Sequence, residues 1–90
     1  MRYSYDPAKK AANLKKHGFN FDDAKQVFES AQTVTFEDRR FDYGETRYLT
    51  LGLLHGIVVI IAAVETDKTV RIISMRKADK HEQKIYYENH

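Results

Sequence analysis

The chain has 90 residues, no cysteine, and 15 Lys and Arg against 13 Asp and Glu, for a net charge of +2. A chain of this length buries one core, so we expect residues 1–90 to form a single domain. The lack of cysteine excludes disulfides and thiolate metal sites. The N-terminus has no apolar stretch of the kind a signal peptide needs, and the longest apolar run, Ile57 to Val64, is too short for a membrane span. These features predict a soluble cytoplasmic protein without a membrane partner.

The positive charge is unevenly distributed along the chain. Residues 1–20 carry five cations against one anion, whereas residues 21–47 carry four against seven. A basic N-terminal segment is compatible with a polyanion as partner. Lysines on a solvated helix face explain the same pattern, and composition leaves both interpretations open.

The N-terminal third predicts a strand followed by two helices. Arg2–Tyr5 alternates polar and aromatic residues as a short strand does. Asp6 and Pro7 are suited to begin a helix over residues 7–17, and Gly18 is suited to end it. Asn20 is then expected to cap a second helix, in which Asp23 stands at the third position and Phe21 begins the apolar spacing.

The remaining chain predicts a strand meander closed by one helix. Residues 33–36 alternate as a strand, and the charged segment 37–44 reads as a hairpin loop. Two strands follow at 46–54 and 57–65, joined by a turn at His55-Gly56, and a last strand covers 70–76. Asp79 and Glu82 form a capping-box pattern for the C-terminal helix. The segments together predict one α+β unit with two N-terminal helices and one C-terminal helix.

Motifs for the common catalytic classes are missing from the sequence. The four histidines show no paired-ligand spacing, and no Gly-rich phosphate loop, nucleophile elbow or dinucleotide fingerprint occurs. We therefore predict neither a metal nor a cofactor. Acid–base and electrostatic chemistry remain as the available means of catalysis.

Two arginines of the last predicted strand, Arg71 and Arg76, are suited to bind a phosphodiester. A guanidinium group binds phosphate oxygens bidentately and stabilises the charge that develops in a transition state. Strict strand alternation points the two side chains to opposite faces, so a shared site requires a bulge or a bend. Pairing of these arginines with Glu45 or Glu65 is the structural alternative.

Other candidate side chains lie at the ends of predicted elements. Glu45 and Arg47 precede and open a strand, where the carboxylate could act as a general base or pair with a cation. His17 closes the first helix, where it could transfer protons or stabilise the helix end. Tyr48 could stack on a base.

Several short motifs occur together in order along the chain. They are Asp6-Pro7-x-Lys9, Asn13, Lys16-His17-Gly18, Phe21, Ala24, Val27-Phe28, Glu45-x-Arg47-Tyr48, Gly52 and Arg71-Ile72-Ile73-Ser74-x-Arg76-x-Ala78. In this combination the chain resembles the BrnT-type toxins of type II toxin–antitoxin systems. The resemblance implies a RelE-like fold, which is a small twisted antiparallel sheet with helices. Met75 stands where the family usually has a small residue.

The resemblance also implies a function and a set of site residues. The expected activity is metal-independent cleavage of RNA, which inhibits translation and growth. The expected partner is a BrnA-like antitoxin with a ribbon–helix–helix segment, through which alone the complex contacts operator DNA. Carried over by motif, the expected catalytic residues are Arg71, Arg76, His17 and Glu45. The expected RNA- or phosphate-binding residues are Lys16, Arg47, Tyr48 and Ser74.

Two other functions use the same residues. In the first, the cations bind RNA or DNA without catalysis. In the second, the basic N-terminal helix only binds an acidic antitoxin. The catalytic hypothesis expects the arginines to converge with a lysine or imidazole in one anion-binding pocket.

Overall fold

The structure is a computed structural model and describes residues 1–89. Its strands are β1 Arg2–Tyr5, β2 Val34–Asp38, β3 Arg47–Leu54, β4 Ile57–Glu65 and β5 Thr69–Lys77. Its helices are α1 Pro7–His17, α2 Ala24–Phe28 and α3 Lys80–Asn89. The predicted α+β class is confirmed.

The sheet is mixed, because β1 pairs with β5 in parallel and the other strand pairs are antiparallel. The strand order is β1-β5-β4-β3-β2. The expectation of an entirely antiparallel sheet is therefore wrong. No hairpin joins β1 to β5, so the tight turn that forces antiparallel pairing does not act on them.

The first helix has the predicted bounds, and its caps explain them. The Asp6 side chain accepts a 2.8 Å hydrogen bond from the Ala8 N–H, and Gly18 ends the helix with φ 77°. The second helix differs from the prediction, because residues Phe21–Asp23 form a 3₁₀ turn and only Ala24–Phe28 is α-helical. Asn20 caps that turn by accepting from the Asp22 N–H at 2.9 Å, which satisfies the donor closest to it.

The sheet has two covered faces. On one, called the α2 face, Phe21, Ala24 and Val27 pack against side chains of β4 and β5. Gly52 of β3 makes this packing possible, because a Cβ atom there would lie 2.5 Å from Val27 Cγ1. On the other, called the α3 face, Tyr86 packs against side chains of β3 and β4. Each core is built from alternate residues of the same central strands.

A bulge in β5 sets the positions of its arginines. The pairing with β4 shifts between Ala62 and Ala63, and Ile73 is the extra residue. As a result Arg71 is paired with Val64 and Arg76 with Ile60, two positions of one regular strand that share a face. Strict alternation would place the two arginines on opposite faces of the sheet. The bulge instead places both of them on the α3 face.

Candidate functional site

Helix α3 covers only one part of the α3 face. It packs its Tyr86 and Ile85 on the part that contains Leu51 and Ile60. The remaining part, called the arginine face, has Phe36 and Ala62 in its floor, with Phe36 38% exposed. Four arginines surround this floor, namely Arg40, Arg47, Arg71 and Arg76.

The first ion-pair cluster of the arginine face joins β3 to β5 through Glu45. One carboxylate oxygen of Glu45 accepts from Arg71 Nη2 at 2.8 Å, and the other accepts from Arg47 Nε at 3.0 Å. The hydrogen bond from Arg47 is the main cause that lowers the pKa of Glu45, and the charge of Arg71 adds to it. Glu45 is therefore ionised at neutral pH and binds a proton weakly.

The second ion pair fixes Arg76 to the start of α3. Arg76 donates to both carboxylate oxygens of Glu82, at 2.8 and 2.9 Å. The predicted capping box is confirmed, because Glu82 also accepts from the Asp79 N–H at 2.9 Å and donates its own N–H to Asp79 Oδ1 at 2.8 Å. One carboxylate therefore serves both the helix end and the arginine.

The third ion pair belongs to Arg40, which the sequence analysis did not single out. Arg40 donates to Asp38 through Nε at 2.9 Å and Nη2 at 3.0 Å. The Asp38 side chain is only 2% exposed, and the hydrogen bond from Arg40 is the main cause that lowers its pKa to about 2. Asp38 continues the alternate inward-facing positions of β2, so its carboxylate is buried. A buried carboxylate needs a cation or a hydrogen-bond donor beside it, and this need is the sequence signal for Arg40.

A separate groove lies between α1 and the bulged part of β5. Its volume is about 280 Å³. The residues that line it are Lys9, Ala12, Asn13, Lys16, His17, Ile73 and Ser74. Three potential cations and a hydroxyl therefore border one opening, which is a composition suited to anions.

Asn13 holds the groove together. Its Nδ2 donates to the Met75 carbonyl at 2.8 Å and to the Phe19 carbonyl at 3.0 Å, and its Oδ1 accepts from the Met75 N–H at 3.0 Å. The β1 pairing of β5 ends at Ile72, so Asn13 takes the place of a strand partner beyond that point. Ala8, Ala11, Ala12 and Leu14 of α1 are exposed, and Asn13 is the buried residue of the helix.

The structure divides the predicted site residues between the two places, so the expected convergence of the arginines with a lysine or imidazole in one pocket is not observed among residues 1–89. Arg71, Arg76, Glu45 and Arg47 belong to the arginine face, whereas Lys16, His17 and Ser74 line the groove. Ser74 connects the two, because it lies between the arginines along β5. Tyr48 belongs to neither, since it pairs with Ala63, whose side chain packs in the core of the α2 face.

Residues that sequence reasoning missed are mostly supports of the predicted ones. Glu82 and Asp38 form ion pairs with Arg76 and Arg40, and the Tyr43 ring lies 3.9 Å from the Arg47 guanidinium carbon. Three carboxylates hold the four guanidinium groups, which leaves an excess of positive charge on the arginine face. Such a surface can bind a phosphate backbone and stabilise charge that develops on it.

Residues 1–89 contain neither a metal-binding cluster nor a membrane-spanning helix. No group of three or more His, Asp or Glu in this part of the chain is placed to hold a metal ion. Among the helices of the same residues, none has the length and apolar character needed to span a membrane.

The fold and the site define a small α+β protein with a basic, partly open sheet face. A family model described as the ribonuclease toxin BrnT of type II toxin–antitoxin systems matches residues 5–82. The chain belongs to this family. A comparison with curated proteins gave no match.

Proposed function

We propose that the protein is a metal-independent endoribonuclease toxin that acts at the arginine face. The observation that carries the proposal is the bulge at Ile73, because it turns Arg71 and Arg76 to one open face together with Arg47. Family membership supports RNA as the substrate. Cleavage of cellular RNA would inhibit translation and growth.

In the proposed reaction the RNA 2′-hydroxyl oxygen attacks the adjacent phosphorus, and the bond to the 5′-oxygen breaks. The products are a 2′,3′-cyclic phosphate and a 5′-hydroxyl. The arginines bind the phosphate and stabilise its added charge, while one group removes the 2′-hydroxyl proton and another protonates the 5′-oxygen. DNA lacks this hydroxyl and is not cut.

His17 and Glu45 are the candidate bases, and the structure distinguishes their environments. Both oxygens of Glu45 are bound by arginines, which lowers its pKa and weakens it as a base. His17 lies in the groove with Lys16 and Ser74, where Arg47 and Arg71 are not lining residues. We therefore assign Glu45 the role of positioning Arg71 and Arg47. We assign the proton transfer to His17, because Ser74 lies between Arg71 and Arg76 on β5 and also lines the groove that contains His17.

The central test is digestion of single-stranded RNA by purified protein with a chelator present. Arg76→Ala should lower the cleavage rate about 10²–10³-fold, the usual effect of removing one group that stabilises charge in the transition state. Arg39→Ala is the matched control, because Arg39 is 83% exposed and pairs with Glu37, whose neighbour across the sheet is Tyr48. Cleavage of single-stranded DNA at the same rate as RNA would refute the mechanism.

A second experiment separates the candidate bases. His17→Gln should lower the cleavage rate about 10²-fold or more, whereas Glu45→Gln should lower it less than about 10-fold. The opposite result assigns the base to Glu45. RNA binding without cleavage by the wild-type protein would favour the non-catalytic module.

The proposed partner is a BrnA-like antitoxin that carries a ribbon–helix–helix segment and links the complex to operator DNA. Type II family membership supports a protein antitoxin. Co-expression with a neighbouring ribbon–helix–helix protein should restore growth and give a complex that binds the operator. The toxin alone should not bind that DNA specifically.

A further inference from the structure

We propose that Arg40 is a further RNA-phosphate contact of the arginine face, presented to the ligand by Asp38 and Tyr43. The inference rests on the proposed function, since it extends the same RNA surface. It concerns a loop residue that lies 31 positions before Arg71 in the sequence.

Arg40 is held by the buried carboxylate of Asp38. Asp38 accepts four hydrogen bonds, from Arg40 Nε, Arg40 Nη2, the Arg40 backbone N–H and the Tyr43 hydroxyl, at 2.9–3.2 Å. The carboxylate is buried at the end of β2, whereas the Arg40 side chain is 59% exposed. The buried group fixes the direction of a guanidinium whose outer edge faces solvent.

The anchored guanidinium keeps donors for a ligand. Arginine has five N–H donors, and Asp38 takes two of them through Nε and Nη2. The remaining edge can bind phosphate oxygens without breaking the ion pair. Arg76 keeps fewer free donors, because Nη1 and Nη2 donate to Glu82 and Nη1 also donates to the Lys77 carbonyl.

The same anchor connects Arg40 to the other arginines. Tyr43 donates its hydroxyl to Asp38 and places its ring against Arg47, so one tyrosine positions two cations. The charge of Arg40 also acts on the pair across the face. The pKa of Glu82 is lowered first by its hydrogen bond from Arg76, and the charge of Arg40 adds to this effect. Arg40 therefore borders the open floor from the side of β2.

Arg39 is a natural comparison within the same loop. It pairs with Glu37, which lies one residue from Asp38 and points to the opposite face of the sheet. Its side chain is 83% exposed and has no buried anchor. Removing either arginine changes the net charge equally, so a difference between the two measures position rather than total charge.

The experiment uses the full chain and a single-stranded 2′-O-methyl RNA oligonucleotide, which cannot be cut by 2′-hydroxyl attack. Arg40→Gln should raise Kd about 5–20-fold at 0.15 M salt and reduce the slope of log Kd against log salt by about 0.7. Arg39→Gln should change Kd less than about 2-fold. Equal effects of the two substitutions would overturn the proposal.

A second variant controls for the fold, because Arg40→Gln leaves the buried Asp38 carboxylate without its cation. Asp38→Asn combined with Arg40→Gln removes that unpaired charge and should bind as weakly as Arg40→Gln alone. Wild-type binding by the double variant would overturn the role of Arg40.

Unmodified RNA separates the two proposals. If the wild type cuts it and Arg40→Gln behaves as Arg39→Gln does, only the Arg40 contact is refuted. If the wild type neither binds nor cuts RNA, both proposals fall.

Discussion

The arginine face and the α1–β5 groove hold their cations in different ways. On the arginine face, each of Arg40, Arg47, Arg71 and Arg76 is bonded to a carboxylate. In the groove, Lys16 and its neighbours Lys9 and His17 make no ion pair within residues 1–89. The first region is organised before a ligand arrives, whereas the second must order its side chains on binding.

The difference teaches how each region should respond to substitution. A change at the arginine face also affects the stability of the fold, because two of its ion pairs join the segment before β3 and helix α3 to β5. A change of a groove lysine should alter the ligand affinity alone. The groove nevertheless depends on one buried residue, Asn13, for its existence.

The largest expected change in stability comes from a substitution that disrupts the groove. Asn13→Leu leaves the N–H and carbonyl of the fully buried Met75 without partners, so we expect a loss of about 2–4 kcal/mol in the free energy of unfolding. Urea denaturation measures it. Asn20→Ala is the control, because it removes a single cap hydrogen bond and should cost about 1 kcal/mol or less. Equal losses would mean that Asn13 does not clamp α1.

The next largest effect tests the ion pair between Arg76 and Glu82 on the arginine face. Glu82→Gln keeps a capping acceptor and removes the ion pair of Arg76, so it should cost about 1–2 kcal/mol and tighten RNA binding a few-fold. Thermal unfolding and anisotropy titration measure the two changes. Glu88→Gln in the same helix removes only an exposed 4.0 Å pair with Lys84 and should leave both unchanged. Weaker RNA binding by Glu82→Gln would show that Glu82 orients Arg76 for its ligand rather than competing with it.

A pH dependence follows from Asp38, whose pKa falls from 3.8 to about 2 on folding. Its stabilisation is complete above the unfolded pKa and is lost as the pH falls toward 2. The contribution is about 1 kcal/mol once solvent screening of Arg40 is considered. Acid titration of wild type against Asp38→Asn should therefore show a difference that shrinks between pH 4 and pH 2.

Glu65 gives the opposite sign for comparison. Burial raises its pKa, so the folded protein favours its protonated form. Glu65→Gln should stabilise the protein at neutral pH, and this gain should diminish on acidification. A Glu65→Gln variant that is less stable than the wild type at neutral pH would contradict the assignment for Glu65.

The smallest effect tests the unpaired cations of the groove. Lys16→Ala should raise Kd for RNA about 2–5-fold and reduce the salt slope by about 0.7, with the free energy of unfolding changed by less than about 0.5 kcal/mol. Lys15→Ala is matched in helix and charge but does not line the groove. Identical responses of the two lysines would mean that the groove contributes only its positive charge and no specific contact to the RNA.

The sequence predicted what local chemistry determines. The bounds of α1 followed from Asp6, Pro7 and Gly18, and the capping box of α3 followed from the spacing of Asp79 and Glu82. The turn between β3 and β4 has the expected backbone, with positive φ at His55 and Gly56. Each of these depends on side chains within a few positions of one another.

Long-range features escaped prediction for a physical reason. The bulge at Ile73 has no residue-type signature, since isoleucine suits a regular strand equally well. The parallel direction of β1 depends on a partner that lies more than sixty residues away. Arg40 has the residue type of any charged loop position, and its placement depends on the burial of Asp38, which the sequence does not show.

The shared carboxylate of Glu82 couples ligand binding at Arg76 to a backbone amide whose hydrogen exchange can be measured. The oxygen that accepts from Arg76 Nη1 also accepts from the Asp79 amide. A ligand that draws Arg76 away changes the environment of that amide, so its exchange with solvent deuterium should differ between the free and the occupied protein. Occupancy of the sheet could then be followed by the protection of a single main-chain proton, without any attached label.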